Sequence, residues 1–403
     1  MSASMTAAIT VDVVVVGARC AGAATAMLLA RAGHDVLVLE RAALPSDTTS
    51  THSLVRPGVV QLARWGLLDR VLASGAPPIR TVDVYRYDGG ARASRLHVKD
   101  KAGVDHILAP RRRELDRIMA EAAVEAGARI LDRTTVRDVV LDVRGRATGV
   151  RAIAADGSLL DVRAGLVVGA DGVRSKVARQ VSAPIVERHQ PGGVCLYTYV
   201  GDVAWHGFEL HLRERRFSGV FPTHGAEAAV FLMLPVAEAG RLLHAGNRRT
   251  QVWLDFLRDA APDLAERIDA GSVRGPVRGT VALPNHVRRA AGRGWALVGD
   301  AGYHRDPITA HGMTDAFRDA ELLANAAHRL LLDPSDERAA MTAYEQQRDA
   351  ALAPTFALTR ELAAFPALER FVELQTELAR VLDDEAHALA VLPDPTMTAV
   401  PAA

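Results

Sequence analysis

The sequence predicts an α/β fold with a parallel-sheet core, a second sheet inserted into that core, and a helical C-terminus. Three observations carry this. Val11 to Val16 is a short β-branched run closed by Gly17, as in a strand buried on both faces; a small-residue helix and the apolar strand Asp35 to Glu40 follow it. From Gly193 to Leu234 the pattern changes to short alternating strands, CLYTYVG, FELHL, SGVFP and AAVFLMLP. After a last buried strand, Trp295 to Val298, the chain reads as helix to about Leu389.

The first unit is β-α-β, which implies parallel strands and a right-handed crossover. Its helix, Ala21 to Ala32, stops at Gly33. Val59 to Leu72 reads as helix interrupted at Gly66, Thr81 to Asp88 as a strand, and Arg111 to Ala126 as a helix with Leu115, Ile118, Met119, Ala122 and Ala123 on one stripe. Val136–Val143, Ala147–Ala154 and Leu159–Val162 read as an antiparallel meander, and Leu166 to Gly169 as a separate buried strand. Pro334, Pro354 and Pro366 are expected to break the C-terminal helices. The strands of the first sheet therefore lie scattered from residue 11 to residue 300, with the second sheet between them. The division expected is a discontinuous core (10–80, 105–182 and 284–332), an inserted sheet unit (81–104 and 183–283), C-terminal helices (333–390) and a disordered tail (391–403).

Composition excludes several classes. Lys+Arg and Asp+Glu both number 48, so zero net charge gives no reason to expect nucleic acid or an anionic membrane as partner. Cys20 and Cys195, the only cysteines, lack metal-site or disulfide spacing, which suits a reducing cytoplasm and predicts no metal. No apolar run is long enough to span a membrane.

The chemistry starts at VVVVGARCAG. Gly17 permits a tight turn, Gly22 allows close helix–sheet packing, and the helix start offers free N–H groups to a pyrophosphate. Glu40 ends the second strand, where its carboxylate can accept from adenosine ribose hydroxyls; Arg41 is placed with it among the cofactor-binding residues. The middle glycine of G-x-G-x-x-G is Arg19, whose guanidinium is expected to meet phosphate oxygens. Cys20 reads as small-residue packing.

Two further segments extend the pattern. LVVGADGVRSKVAR (Leu166 to Arg179) and GWALVGDAGYHRDPITAHGMTDAFRDAELLA (Gly294 to Ala324), with GARCAG, resemble the three motifs of the aromatic-hydroxylase (para-hydroxybenzoate hydroxylase-like) flavoprotein monooxygenases, in order and spacing, over most of residues 10–330. The resemblance implies a Rossmann-like FAD-binding domain, FAD as cofactor and NAD(P)H as transient reductant. It places Asp171 at FAD and the nicotinamide cofactor, and Arg112, of an R-x-x-L-D pattern, at the flavin chain. Gly299 and Asp300 end a strand where a carboxylate can hold the ribityl hydroxyls. Pro307 and Gly312 flank a loop that must pass close to a flat ring, and from Met313 a helix start aims its dipole at the flavin. Arg174 and Arg179 stand where a nicotinamide phosphate could be met. His311 is the candidate acid–base residue at the flavin edge, and Pro307 is flavin-adjacent. Asp306 either stands beside the ring or faces away toward Arg305. Thr48 to Thr51 replace the arginine that aromatic hydroxylases often carry, which argues against gating of a mobile flavin by arginine.

The reading that follows is an FAD-dependent monooxygenase. It would use NAD(P)H and O2 to hydroxylate or epoxidise a small aromatic or polyketide-like substrate through a flavin C4a-hydroperoxide. Tyr197, Tyr199, His211 and Phe221 of the inserted sheet are the candidate substrate residues. The alternative is an FAD-dependent reductase of the geranylgeranyl-reductase-like type. A halogenase is disfavoured because Trp65, Trp205, Trp253 and Trp295 stand isolated with no W-x-W-x-I-P segment; a flavin carrier without turnover is the remaining class. The expected assembly is a cytoplasmic monomer or homodimer.

Overall fold

The computed structural model describes residues 7–393 and 395, apart from 51, 89, 90, 270 and 282. Its first sheet has eight strands; six run in the order Ala291–Gly292, Trp295–Leu297, Leu159–Gly169, Ala7–Val16, Val36–Leu39, Arg129–Leu131, and Thr135–Leu141 and Ala147–Ile153 attach beside Leu159–Gly169. The four pairings from Trp295–Leu297 to Arg129–Leu131 are parallel. Val13 to Val15 are wholly buried, as a strand covered on both faces requires. The helix Cys20–Arg31 is buried along nearly its whole length because its Ala-rich surface lets two other helices, Arg112–Glu125 and Gly312–Leu332, pack closely on it.

Leu159–Gly169 is one strand, not the two the pattern suggested. Its first part pairs antiparallel with the hairpin Thr135–Leu141/Ala147–Ile153, while its whole length pairs parallel with Ala7–Val16. Two kinds of neighbour along one strand produce the apparent break in hydrophobic pattern.

The second sheet has seven strands, in the order Val273–Val281, Gly193–Val200, Ala228–Pro235, Arg216–Pro222, Phe208–Arg213, Thr81–Tyr87, Ala91–His97. Thr81–His97 thus joins the sheet formed after residue 193. One face carries Tyr197, Tyr199, Phe208, Phe217, Phe221 and Phe231, and Phe217 packs on Phe371 of the C-terminal helix Leu368–Ala390. The other is covered by Arg249–Ala260, with Trp253 fully buried. A small third sheet, Tyr303–His304, Asn285–Arg288 and Ile185–His189, was not anticipated.

Gly66 does interrupt the helical stretch, between Arg56–Arg64 and Leu68–Ala73, with φ +72°. Pro334 and Pro366 lie between helices, but Pro354 sits inside Glu337–Ala363. That expectation is corrected: Pro354 and Ala350, whose carbonyl loses its partner, are both exposed, on a face of the helix open to solvent. The tail 391–403 lies largely outside the described residues. No described helix is long and apolar enough to cross a membrane.

Candidate active site

A cleft of about 680 Å³ runs along the C-terminal ends of the parallel strands. Gly17, Arg19, Glu40, Arg41, Arg112, Asp171, Asp300, Pro307, Gly312 and Met313 all line it, so residues from five separate segments meet there. Two long helices begin at the cleft, Cys20–Arg31 and Gly312–Leu332, and neither has a side-chain cap. Their first N–H groups and positive dipole ends are left for a ligand. Added atoms test the shape. A Cβ at Gly22 would lie 1.8 Å from the carbonyl oxygen of Gly17, whereas one at Gly312 would meet nothing within 4 Å. The first glycine closes the turn; the second leaves open space at the other helix start. Asp300 is exposed in the cleft, and its side chain hydrogen-bonds to no described residue. An elongated anionic dinucleotide with a polyol linker, FAD, fits this donor set.

Glu40 is buried, accepting from Ala18 N–H at 2.9 Å and Ala42 N–H at 2.8 Å, which holds its carboxylate at the strand end. Arg19 differs from expectation. Its guanidinium is held by Asp116 at 3.0 Å and by Ser46 Oγ at 3.1 Å, bracing the glycine turn against the 41–50 loop rather than standing free for phosphate. Asp116 is the hub that sequence reasoning passed over. It also takes Arg112 bidentately at 2.9 and 3.1 Å and the Cys20 thiol at 3.3 Å. Burial pushes the Cys20 thiol up to about 12, so it is inert, as a packing role requires. Burial opposes the Arg112 charge, but Asp116 beside it lifts its pKa above the ordinary value. Of the three adjacent arginines, Arg112 faces the cleft, Arg113 is exposed, and Arg111 pairs with Glu227 and lies 4.0 Å over the Tyr199 ring.

Asp171 spends both oxygens on the helix Lys176–Gln180, accepting from Ser175 Oγ at 2.5 Å and Lys176 N–H at 2.6 Å. It shapes the cleft as a cap. Asp306 lines the cleft and does not turn to Arg305: it accepts from Gly193 N–H at 3.3 Å and Ile308 N–H at 3.1 Å, and burial raises its pKa. Ala310 closes this loop in the left-handed region, φ +52°, a strained placement for a residue with a Cβ.

His311 is the largest correction. Although it lines the cleft, its ring is fully buried among Arg305, Asp315 and Glu385, with no face open for acid–base exchange with a substrate. His311, Asp315 and Glu385 have the spacing of a metal triad. Arg305 and Arg318 already reach the same carboxylates, so their charge is compensated without an ion.

A second space of about 620 Å³ adjoins the cleft, sharing Ser53, Cys195, Pro307 and Ala310 with it. Phe208, Leu210, Phe217, Phe221, Phe231 and Met233 form its sheet wall, and Val372, Leu378 and Leu382 of the C-terminal helix its roof. The four sheet candidates separate. Phe221 lines this chamber. Tyr197 lines the cofactor cleft instead, its hydroxyl accepting from Ser50 N–H at 3.1 Å. Tyr199 is engaged by Arg111 and by buried His52, which accepts from Arg112 N–H at 3.1 Å and is driven down to about 3, chiefly by burial and then by Arg112. His211 lies on the opposite face of the sheet, stacked on Tyr85 at 4.5 Å and bonded to Tyr87. Alternation along Phe208–Arg213 puts Phe208, Leu210 and Leu212 on the chamber side and Glu209 and His211 behind. The register of this strand against its partners Arg216–Pro222 and Thr81–Tyr87 is not legible in the sequence, so the side could not be assigned.

A dinucleotide cleft at the sheet switch, adjoining a largely apolar chamber, defines an FAD-dependent oxidoreductase. The chain belongs to the family described as FAD binding domain, which matches residues 10–355. It is 32% identical over 363 residues to a kynurenine 3-monooxygenase of Salinispora arenicola, covering 83% of this chain and 76% of that protein. It is 29% identical over 361 residues to digeranylgeranylglycerophospholipid reductase 1 of Methanopyrus kandleri, covering 87% and 89%. Among solved structures, PqsL, a probable FAD-dependent monooxygenase from Pseudomonas aeruginosa, superposes with a TM-score of 0.75 at 23% identity, covering 91% of this chain and 100% of that one. The fold and the motif resemblance agree with these matches.

Proposed function

We propose that this chain is an FAD-dependent monooxygenase that uses NAD(P)H and O2 to place one oxygen atom on an apolar, electron-rich organic substrate. The observation that carries the reading is the chamber of about 620 Å³, walled mainly by Phe, Leu, Val and Met, which meets the cofactor cleft at Pro307 and Ala310. Bound FAD supplies the two-electron transfer and the reaction with oxygen. The chain's part is placement. The open helix starts at Cys20 and Gly312 receive negative charge, and Asp300 holds hydroxyls between them. The Phe208–Phe221–Phe231 wall gives the reacting end an apolar surface. Arg174 and Arg179, at the exposed edge of the cleft, are the residues offered to the nicotinamide phosphates. In balance, substrate, O2, NAD(P)H and a proton give hydroxylated substrate, water and NAD(P)+.

The same chamber suits an isoprenoid alkene, which favours reduction as the second reading: two electrons and two protons saturate a C=C bond, with no oxygen consumed. Oxygen labelling separates them. The purified protein with NAD(P)H and a panel of phenols, quinones and polyketides under ¹⁸O2 is expected to yield product carrying one ¹⁸O atom. Equal product without oxygen would establish the reductase reading instead. Leu210 lines the chamber, and a larger side chain there takes up part of its space. Leu210→Trp is expected to raise KM for the stimulating substrate about tenfold, the loss of roughly 1.4 kcal/mol of binding, with the flavin spectrum unchanged.

A further inference from the structure

The C-terminal helix connects the chamber to the cofactor cleft. Val372, Leu378 and Leu382 wall the chamber, and one turn beyond Leu382 the same helix carries Glu385 to the start of Gly312–Leu332. There the His311 ring lies between two carboxylates. Nδ1 is 2.9 Å from Asp315 Oδ1, and Nε2 is 3.0 Å from Glu385 Oε2, the latter an ion contact rather than an aligned hydrogen bond.

The groups facing the ring are Asp315 and Arg318 of its own helix, Arg305 of the preceding loop, and Glu385 of the C-terminal helix. Arg318 also holds Asp319 at 2.9 Å and Glu385 at 3.2 Å. Asp315 and Glu385 each lie against one ring nitrogen, so an imidazolium placed between them meets a carboxylate on both sides. Arg305 and the ring then share the Asp315 carboxylate, one oxygen each. Burial works against the imidazolium, but Glu385 and Asp315 more than offset it, so the pKa lies above its usual value.

We propose that Glu385 is a positioning residue for the flavin: from the helix that walls the chamber it holds the His311 imidazolium behind the first turn of Gly312–Leu332, where that fixed cation favours the reduced, anionic cofactor. It adds to the helix dipole from a ring that is itself buried, where charge is weakly screened. No electron-transfer step is added; only the balance between two states of bound FAD changes. The inference needs FAD alone, so it holds whether the substrate is oxygenated or reduced.

The test is the midpoint potential of the FAD-loaded chain, read by redox-dye equilibration, for Glu385→Gln, His311→Asn and the double variant. Each single variant is expected to lower the affinity for reduced relative to oxidised FAD about tenfold, ~30 mV for two electrons. The double variant should fall no further, because both changes remove one interaction. A potential unchanged in Glu385→Gln with FAD still bound would overturn the proposal, since a packing role weakens both redox states alike. Should that variant lose its cofactor, the unaltered holoprotein still decides by histidine NMR, with the His311 signal assigned from its loss in His311→Asn. The ring is expected to be protonated at pH 7.5, and a neutral ring there refutes the assignment.

Discussion

Gly22→Ala is expected to yield colourless protein whose FAD affinity is lower by roughly two orders of magnitude, about 2.8 kcal/mol. The added Cβ would stand 1.8 Å from the Gly17 carbonyl oxygen and 3.1 Å from the Ala170 side chain. Both the 1.8 Å neighbour and the helix are backbone, so relief comes only if the Cys20–Arg31 helix retreats from the strand end. That moves the open N–H groups away from the pyrophosphate. Gly33→Ala is the control: its Cβ meets nothing within 4 Å, and its φ of +86° costs roughly 1–2 kcal/mol of stability. That variant should stay yellow. Absorbance near 450 nm after loading with excess FAD measures the difference, and a yellow Gly22→Ala would contradict the role given to this turn.

Asp116→Ala is expected to destabilise the protein by about 3–5 kcal/mol, because it leaves the Arg112 guanidinium buried without its counter-ion. Arg19, partly exposed, loses the same partner and with it the brace between the glycine turn and the 41–50 loop. Cofactor affinity should fall together with stability, since Arg112 lines the cleft. Asp116→Asn, which keeps an acceptor but not the charge, should fall between. Urea unfolding of the FAD-free and FAD-loaded forms measures both effects. A loss below about 1 kcal/mol would mean that water replaces the carboxylate and that the hub is not a charge centre.

Asp116 also shows where sequence reading stops. It stood inside a recognised R-x-x-L-D pattern, yet nothing local marks it as the partner of Arg19, 97 residues away. The unusual arginine was legible as a departure, and its solution was not. His311 failed in the opposite sense. It occupies the N-cap position of Gly312–Leu332, but its ring turns inward to Glu385, contributed by a helix 74 residues further on. For His211 the strand was found and its face was not, because a face follows from the register of Phe208–Arg213 against Thr81–Tyr87 and Arg216–Pro222, and those pairings are long-range.

By itself the sequence determined the α/β class, the opening β-α-β turn and the Gly299–Asp300 strand end, while FAD was implied by the motif resemblance. Each depends on short-range chemistry: glycines where backbone must pass closely, carboxylates at strand ends, apolar runs of fixed period. Only the tertiary structure decided which side chains meet. It settled the Asp116 hub, the inward His311, the sheet face that walls the chamber, and the C-terminal helix that roofs it. Those contacts join segments tens to hundreds of residues apart, and their energies are fixed by burial and charge compensation in the folded interior, which no local pattern records.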